Sequence, residues 1–213
     1  MTTAVEALVR LRAGNRRFVE NQCAASATLS PARRAALLAG QEPFAIVLGC
    51  SDSRVPAELV FDQGLGELFV IRVAGNIVAP SQVGSVEFAA TRFGTRLVVV
   101  MGHSQCGAVM ATLEELLGRN STHSSNLRSI VDRVRPSIEA MFLRREEADF
   151  DSLMRDAVRA NVRASANHLR HGSELLEELI RTDGLLVVGA EYSLESGAVT
   201  FFDGVPPTDG DGH

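Results

Sequence analysis

The sequence contains no lysine and no tryptophan, and all 21 of its Lys and Arg positions are arginine. The absence of lysine excludes Schiff-base catalysis, a pyridoxal-phosphate lysine and the phosphate-binding lysine of a P-loop. With no tryptophan and a single tyrosine, Tyr192, stacking on nucleic-acid bases would depend on phenylalanine and histidine. Since the formal net charge is also −5, we expect no nucleic-acid partner.

Long hydrophobic runs are also missing from the 213 residues. Apolar stretches such as Phe44–Gly49 have the length of a strand and are too short to span a bilayer. The first residues contain no apolar segment typical of a secretory signal, so we expect a cytoplasmic protein without a membrane partner.

Cysteine is scarce as well. Cys23, Cys50 and Cys106 are odd in number and widely spaced, which excludes a disulfide framework and leaves metal binding, catalysis or a place in the core.

Four continuous apolar runs predict strands that are buried on both faces. A shorter run after the Ser196-Gly197 turn predicts an antiparallel edge strand. Because helical patterns separate these runs, we expect an α/β fold, with a mostly parallel central sheet of four parallel strands and the edge strand, flanked by helices. The runs are Phe44–Gly49, Leu68–Val73, Leu97–Met101, Leu185–Val188 and Thr200–Phe202.

A single domain is expected, because a chain of this length suffices for one core and no linker divides it. The domain spans residues 1–203 and starts with a helical arm, residues 1–40, whose first helix is amphipathic and rich in arginine. A helical pattern extends over residues 126–181, with interruptions predicted near Pro136 and Gly172. The composition of residues 204–213 predicts a disordered tail.

Three side chains with metal-binding chemistry are predicted to meet at one edge of this sheet if the first and third strands are neighbours. Cys50 follows the first buried strand and His103 follows the third, so both project from the carboxyl edge, where open α/β sheets bind ligands. Cys106 lies three residues after His103 at the start of a helix, whose dipole favours a thiolate. Two thiolates and one imidazole predict a zinc site with its fourth position open, the pattern of a catalytic centre. Cys23 has no such neighbours and is expected to be a free thiol.

A carboxylate and a guanidinium follow Cys50 closely, at Asp52 and Arg54. Asp52 can bind the metal and close the site, or it can accept a proton from metal-bound water. Arg54 favours the second use, because a bidentate pair with Asp52 competes for the carboxylate and keeps it ionised. The alternative is an ordinary Asp–Arg surface pair.

The sequence resembles the β-class carbonic anhydrases in two motifs and in the segment between them. The motifs are CSDSR (Cys50–Arg54) and GHSQCGA (Gly102–Ala108), and the segment is FDQGLGELFVIRVAGN (Phe61–Asn76). The resemblance covers the chain from its first helix to about Phe202. It implies reversible hydration of carbon dioxide to bicarbonate and a proton, by attack of zinc-bound hydroxide.

The resemblance also implies a role for each residue of the centre. Cys50, His103 and Cys106 bind one Zn²⁺ per chain, and an Asp52–Arg54 dyad orients the attacking hydroxide. A closed form is implied as well, in which Asp52 becomes the fourth zinc ligand.

Further positions match residues that contact the substrate in this family. Gln41 stands where the family has a glutamine that hydrogen-bonds the substrate, and Phe69 stands at an apolar pocket position. Ala74 and Phe88 replace the Val and Tyr of some members and are expected only to line the pocket. Gly107 is expected to offer a backbone N–H to bicarbonate. The family also implies a homo-oligomer, a dimer or a dimer of dimers, with each site partly built across the interface.

Some bacterial members bind an inhibitory bicarbonate through a Trp–Arg–Tyr set. Arg72 matches the arginine of that set, but Val47 stands at the tryptophan position. Because the chain has no tryptophan, that version of the regulatory site cannot form.

Two other functions fit the same residues. A hydrolase of carbon disulfide or carbonyl sulfide would use the same ligands with a different access channel. A non-catalytic zinc-binding module would need only the three ligands, and the presence of Asp52 and Arg54 argues against it.

Overall fold

A computed structural model of the chain describes residues 2–24, 30–119, 124–142 and 149–207. Within these residues five strands form one sheet: β1 (Ala45–Gly49), β2 (Leu68–Arg72), β3 (Leu97–His103), β4 (Leu186–Tyr192) and β5 (Val199–Asp203). Their spatial order is β2-β1-β3-β4-β5. The first four strands are parallel and β5 runs antiparallel to β4, which confirms the predicted fold class.

Helices flank this sheet in the described ranges, and two short 3₁₀ turns lie at Leu37–Ala39 and Ala74–Asn76. None of these helices is both long and apolar enough to cross a membrane. The α-helices are α1 (Ala4–Val19), α2 (Pro31–Ala36), α3 (Ala57–Val60), α4 (Pro80–Arg92), α5 (Gly107–Leu116), α6 (Ser125–Phe142), α7 (Phe150–His171) and α8 (Glu174–Thr182).

The central strands are buried on both faces. Every residue of β1 and β3 is buried, which explains why both strands appear in the sequence as uninterrupted apolar runs. On one face α1 and α3 pack against the sheet, through side chains that include Leu11 and Val60. On the other face α4 and α7 pack through Val86 and Val162. Packing on both faces therefore fixes the positions of the central strands and of the residues that follow them at the edge of the sheet.

The first helix lies on the sheet of its own chain. The buried side chain of Asn15 donates through Nδ2 to the carbonyl oxygens of Val60, at 3.0 Å, and Gly197, at 2.9 Å. These bonds tie α1 to the last residue of α3 and to the loop after β4. Val5 and Val9 remain exposed on the same helix. The division into a domain of residues 1–203 and an arm stays a prediction.

The predicted interruption at Pro136 is wrong, because α6 continues through this residue to Phe142. A proline inside a helix removes one backbone hydrogen bond. In α6 the buried side chains of Val134 and Ile138 pack in a cluster with α5 and α7, and this burial maintains the helix across the missing bond.

The predicted disordered tail is described only in part. Residues 204–207 are described, and Val205 packs against the core, whereas residues 208–213 lie outside the described ranges.

The contact of α1 with the loop after α3 gives a stability test. A Cβ at Gly14 would lie 1.8 Å from the carbonyl oxygen of Phe61, so Gly14→Ala forces the two backbones apart. We expect it to lower the free energy of unfolding by about 1–3 kcal/mol. Gly84 in α4 is the control, since a Cβ there meets nothing within 4 Å. Gly84→Ala should raise the free energy of unfolding by about 0.5–1 kcal/mol, because alanine favours a helix. Urea unfolding followed by circular dichroism measures both, and a stabilised Gly14→Ala protein would contradict this packing.

Candidate metal centre

The predicted metal-binding residues lie at a switch point of the sheet. The chain places β2 on one side of β1 and β3 on the other, so a crevice opens between the carboxyl ends of β1 and β3. Cys50 directly follows β1, and His103 is the last residue of β3. The chain then turns through Gln105, whose φ is 57°, and brings Cys106 to the N-cap of α5. The topology therefore brings together three residues that are far apart in the sequence.

Cys50, His103 and Cys106 offer one ligand atom each, and these atoms all lie within 4.8 Å of one another. Their exposed fractions are 5%, 0% and 1%. The carbonyl oxygen of Ser104 lies 2.9 Å from His103 Nδ1, and because a carbonyl only accepts, Nδ1 carries the proton. Nε2 then presents a lone pair, which has no hydrogen-bond partner in the described part of the chain. A buried lone pair beside two thiols fits zinc, which prefers nitrogen and sulfur ligands.

The two thiols hydrogen-bond to each other, and this bond makes them unequal. It lowers the pKa of Cys50 to about 4, and the backbone N–H of Gly75, 3.4 Å from Cys50 Sγ, acts in the same direction. The same bond, together with burial, raises the pKa of Cys106. The hydrogen bond therefore favours the thiolate form of Cys50 over that of Cys106, and a bound cation would displace the remaining proton.

Asp52 lies beside these ligands and is held by Arg54. Arg54 donates from Nε to Oδ1 at 2.9 Å, from Nη2 to Oδ2 at 2.7 Å and from its backbone N–H to Oδ1 at 2.9 Å. The side-chain bonds from Arg54 are the main reason why the pKa of Asp52 lies well below its usual range. Asp52 Oδ2 is 3.9 Å from His103 Nε2. An ionised carboxylate is thus fixed at the border of the metal-binding cluster.

Arg72 holds the loop that carries both Cys50 and Asp52. Its guanidinium donates from Nε to the carbonyl oxygen of Cys50 at 3.0 Å and from Nη2 to that of Asp52 at 2.5 Å. The sequence motifs do not predict this contact. The guanidinium reaches these carbonyl groups only because of the register in which β1 and β2 pair. That register pairs Arg72 with Gly49, the residue before Cys50.

Two of the predicted substrate-contacting residues lie close to the centre. Ala74 directly precedes Gly75, whose N–H donates to Cys50. Gly107 is the first residue of α5 and follows Cys106. A Cβ on Gly75 would lie 3.0 Å from the Cβ of Ala108, so the two segments touch.

The chain does not bring the other three to its own metal centre. Phe69 pairs with Ile46, three residues before the end of β1 at Gly49, which is about 10 Å from the carboxyl edge. Phe69 and Phe88 belong to an aromatic cluster, with ring centroids 6.1 Å apart. Gln41 precedes β1 at the opposite edge of the sheet and lines a cavity of about 510 Å³. Their contact with the substrate stays a prediction, and it requires a second copy of the chain.

The comparisons with known proteins agree with this arrangement. A family model described as carbonic anhydrase matches residues 45–199, which include all of the centre. Carbonic anhydrase 2 of Mycobacterium tuberculosis is 37% identical over 202 residues, covering 95% of this chain and 94% of the relative. The β-carbonic anhydrase CafA of Aspergillus fumigatus superposes with a TM-score of 0.75 at 26% identity, covering 88% of this chain and 89% of that one. This chain belongs to the β-class carbonic anhydrases.

A second relative supports the same family. The carbonic anhydrase of Mycolicibacterium smegmatis is 47% identical over 138 residues, covering 63% of this chain and 64% of the relative. The enzyme is therefore a carbonic anhydrase, and the resemblance that the two motifs carry is confirmed.

The three ligand positions predict how the enzyme retains metal. We expect Cys50→Ser and Cys106→Ser to lose nearly all bound metal, because each removes one of only two sulfur ligands. Cys23→Ser is the matched control, since Cys23 is exposed and lies outside the cluster. Elemental analysis after dialysis measures the metal content of each purified protein. Full metal content in either Cys50→Ser or Cys106→Ser would contradict the assigned ligands.

Proposed function

We propose that this enzyme binds one zinc ion per chain through Cys50, His103 and Cys106, and that it hydrates carbon dioxide reversibly at this site. The observation that carries the proposal is the buried lone pair of His103 Nε2, within 4.8 Å of two thiols. Three protein ligands leave one position of a tetrahedral zinc open to solvent. When bound, zinc would lower the pKa of water from its bulk value of about 15.7, so that hydroxide would be available as the nucleophile.

Asp52 is proposed to orient the attacking oxygen. Its carboxylate accepts a hydrogen bond from the O–H of the nucleophile, which turns an oxygen lone pair towards the carbon of carbon dioxide. Arg54 keeps the carboxylate ionised and fixes its plane through two parallel hydrogen bonds. The pairing with Arg54 competes with ligation of the metal by Asp52, the closed form, and so favours the open form.

The remaining parts of the substrate pocket are proposed to come from two copies of the chain. Ala74 and Gly107 lie next to the ligands of their own chain, whereas Gln41, Phe69 and Phe88 lie away from them. Phe88 has 52% of its surface exposed, which is high for an aromatic side chain in a cluster. A second copy in a homo-oligomer would cover it and would receive these three residues as walls of its own site. The two phenylalanines suit carbon dioxide, which is small and apolar, and Gln41 would hydrogen-bond the substrate.

Replacement of Asp52 tests the proposed dyad. Asp52→Asn is expected to keep its zinc, because the ligands are unchanged, and to lose carbon dioxide hydration by about 100-fold or more, because the charged acceptor is removed. Stopped-flow assays with metal analysis measure both quantities. Asp132→Asn, an exposed position on α6, is the control and should retain the wild-type rate. A wild-type rate in zinc-loaded Asp52→Asn would refute the role of Asp52. If the wild-type enzyme releases sulfide from carbonyl sulfide and does not hydrate carbon dioxide, its substrate belongs to the other class.

Mixing two weakened variants tests whether neighbouring copies share a site. We co-express Asp52→Asn and Gln41→Ala chains. If each site is built across the interface, a mixed dimer contains one site with both substitutions and one site with both wild-type residues. Random pairing then restores about a quarter of the wild-type sites. Asp52→Asn mixed with Cys50→Ser is the control, since both changes fall in the same half of the site and no activity returns. If the first mixture is no more active than the mean of its parents, the shared site is wrong.

A further inference from the structure

Two buried side chains of α7 reach the 3₁₀ turn that touches the metal centre. Asn161 donates from Nδ2 to the carbonyl oxygen of Gly75 at 2.7 Å, and Ser165 donates from Oγ to that of Asn76 at 3.0 Å. Their exposed fractions are 2% and 6%. Asn161 and Ser165 are four residues apart, so they lie on the same face of the helix. They bind two successive carbonyl groups of one turn, more than 80 residues away in the sequence.

The backbone of this turn is in an unfavourable conformation for a residue with a side chain. Gly75 has φ 68° and Asn76 has φ 43°, so two successive residues are left-handed. A non-glycine residue in this region is held there by its surroundings. The result of the conformation is that the N–H of Gly75 points at Cys50 Sγ, at a distance of 3.4 Å. The two α7 side chains bind the carbonyl groups of both left-handed residues and so hold the turn in this conformation.

We propose that Asn161 and Ser165 are positioning residues for the metal centre. They fix the turn so that the N–H of Gly75 donates to the Cys50 sulfur, and this bond orients the thiolate and stabilises its charge. The inference rests on the proposed zinc site and adds to it two residues that do not touch the metal. Without their hydrogen bonds the turn relaxes, Cys50 loses its donor, and the chain holds zinc less tightly.

A purely structural role makes a different prediction. If Asn161 and Ser165 only satisfy buried carbonyl groups, their loss reduces stability but leaves the bond between Cys50 and the metal unchanged. Ser137 offers a matched comparison, because it is a partly buried serine on α6 whose hydroxyl donates to the carbonyl oxygen of Val134 in its own helix, at 2.7 Å. Ser137→Ala removes the same group from a bond that stays within α6, and it leaves the hydrogen bonds of Asn161 and Ser165 to the turn intact.

The test compares Asn161→Ala, Ser165→Ala and Ser137→Ala with the wild-type protein. Zinc release to a chromophoric chelator should be about 10-fold or more faster for the two α7 variants than for wild type or Ser137→Ala. In the cobalt(II)-substituted proteins, the thiolate-to-cobalt absorption band should shift for the same two variants only. If Asn161→Ala does not fold, Ser165→Ala decides the matter alone.

Two results would overturn the inference, and they can be told apart. If the wild-type protein binds zinc and the α7 variants match Ser137→Ala in release rate and absorption band, the positioning role is wrong while the proposed function stands. If the wild-type protein binds no zinc at this centre, the proposed function is wrong and the inference is wrong with it.

Discussion

Two thiols and one imidazole nitrogen lie buried within 4.8 Å of one another, and the rest of the site is arranged around them. Burial of a polar atom without a partner costs free energy, and burial of a thiolate costs more. The lone pair of His103 Nε2 has no partner in the described ranges, and the sulfur atoms of Cys50 and Cys106 are buried beside it. A divalent cation removes both costs at once, because it accepts the lone pair and balances the sulfur charge. This constraint explains why the centre is best understood as a metal site rather than as part of the core.

The fold meets this constraint through its topology. The change of winding between β1 and β3 opens a crevice at the carboxyl edge, and the turn through Gln105 returns the chain to it with Cys106 at a helix N-cap. Three supports then fix the loops that carry the ligands. Arg54 fixes Asp52, Arg72 binds the carbonyl groups of the Cys50 loop, and the turn at Gly75 donates to the Cys50 sulfur. The ligands are thus held by hydrogen bonds on several sides.

Much of this could be predicted from the sequence. The continuous apolar runs predict the parallel sheet, and residues at the ends of parallel strands lie at one edge. The cluster of Cys50, His103 and Cys106 also needs β1 and β3 to be neighbours, which the structure shows and the pattern does not. The contacts of Asn161 and Arg72 could not be predicted, because both residues bind backbone carbonyl groups and no side-chain motif marks these. Sequence reasoning also failed at Pro136, where packing of α6 outweighs a local preference. It also could not predict that Gln41 lies away from the metal centre of its own chain, because a match to a motif gives no distances.

X-ray absorption at the zinc edge of the purified enzyme tests the central claim most directly, because it reports the atoms bound to the metal. The account predicts two sulfur neighbours at about 2.3 Å and two lighter neighbours at about 2.0–2.1 Å, one of them with the outer-shell scattering of an imidazole ring. A shell without sulfur, with a single sulfur or with four sulfurs would contradict the assignment of Cys50, His103 and Cys106 as the ligands.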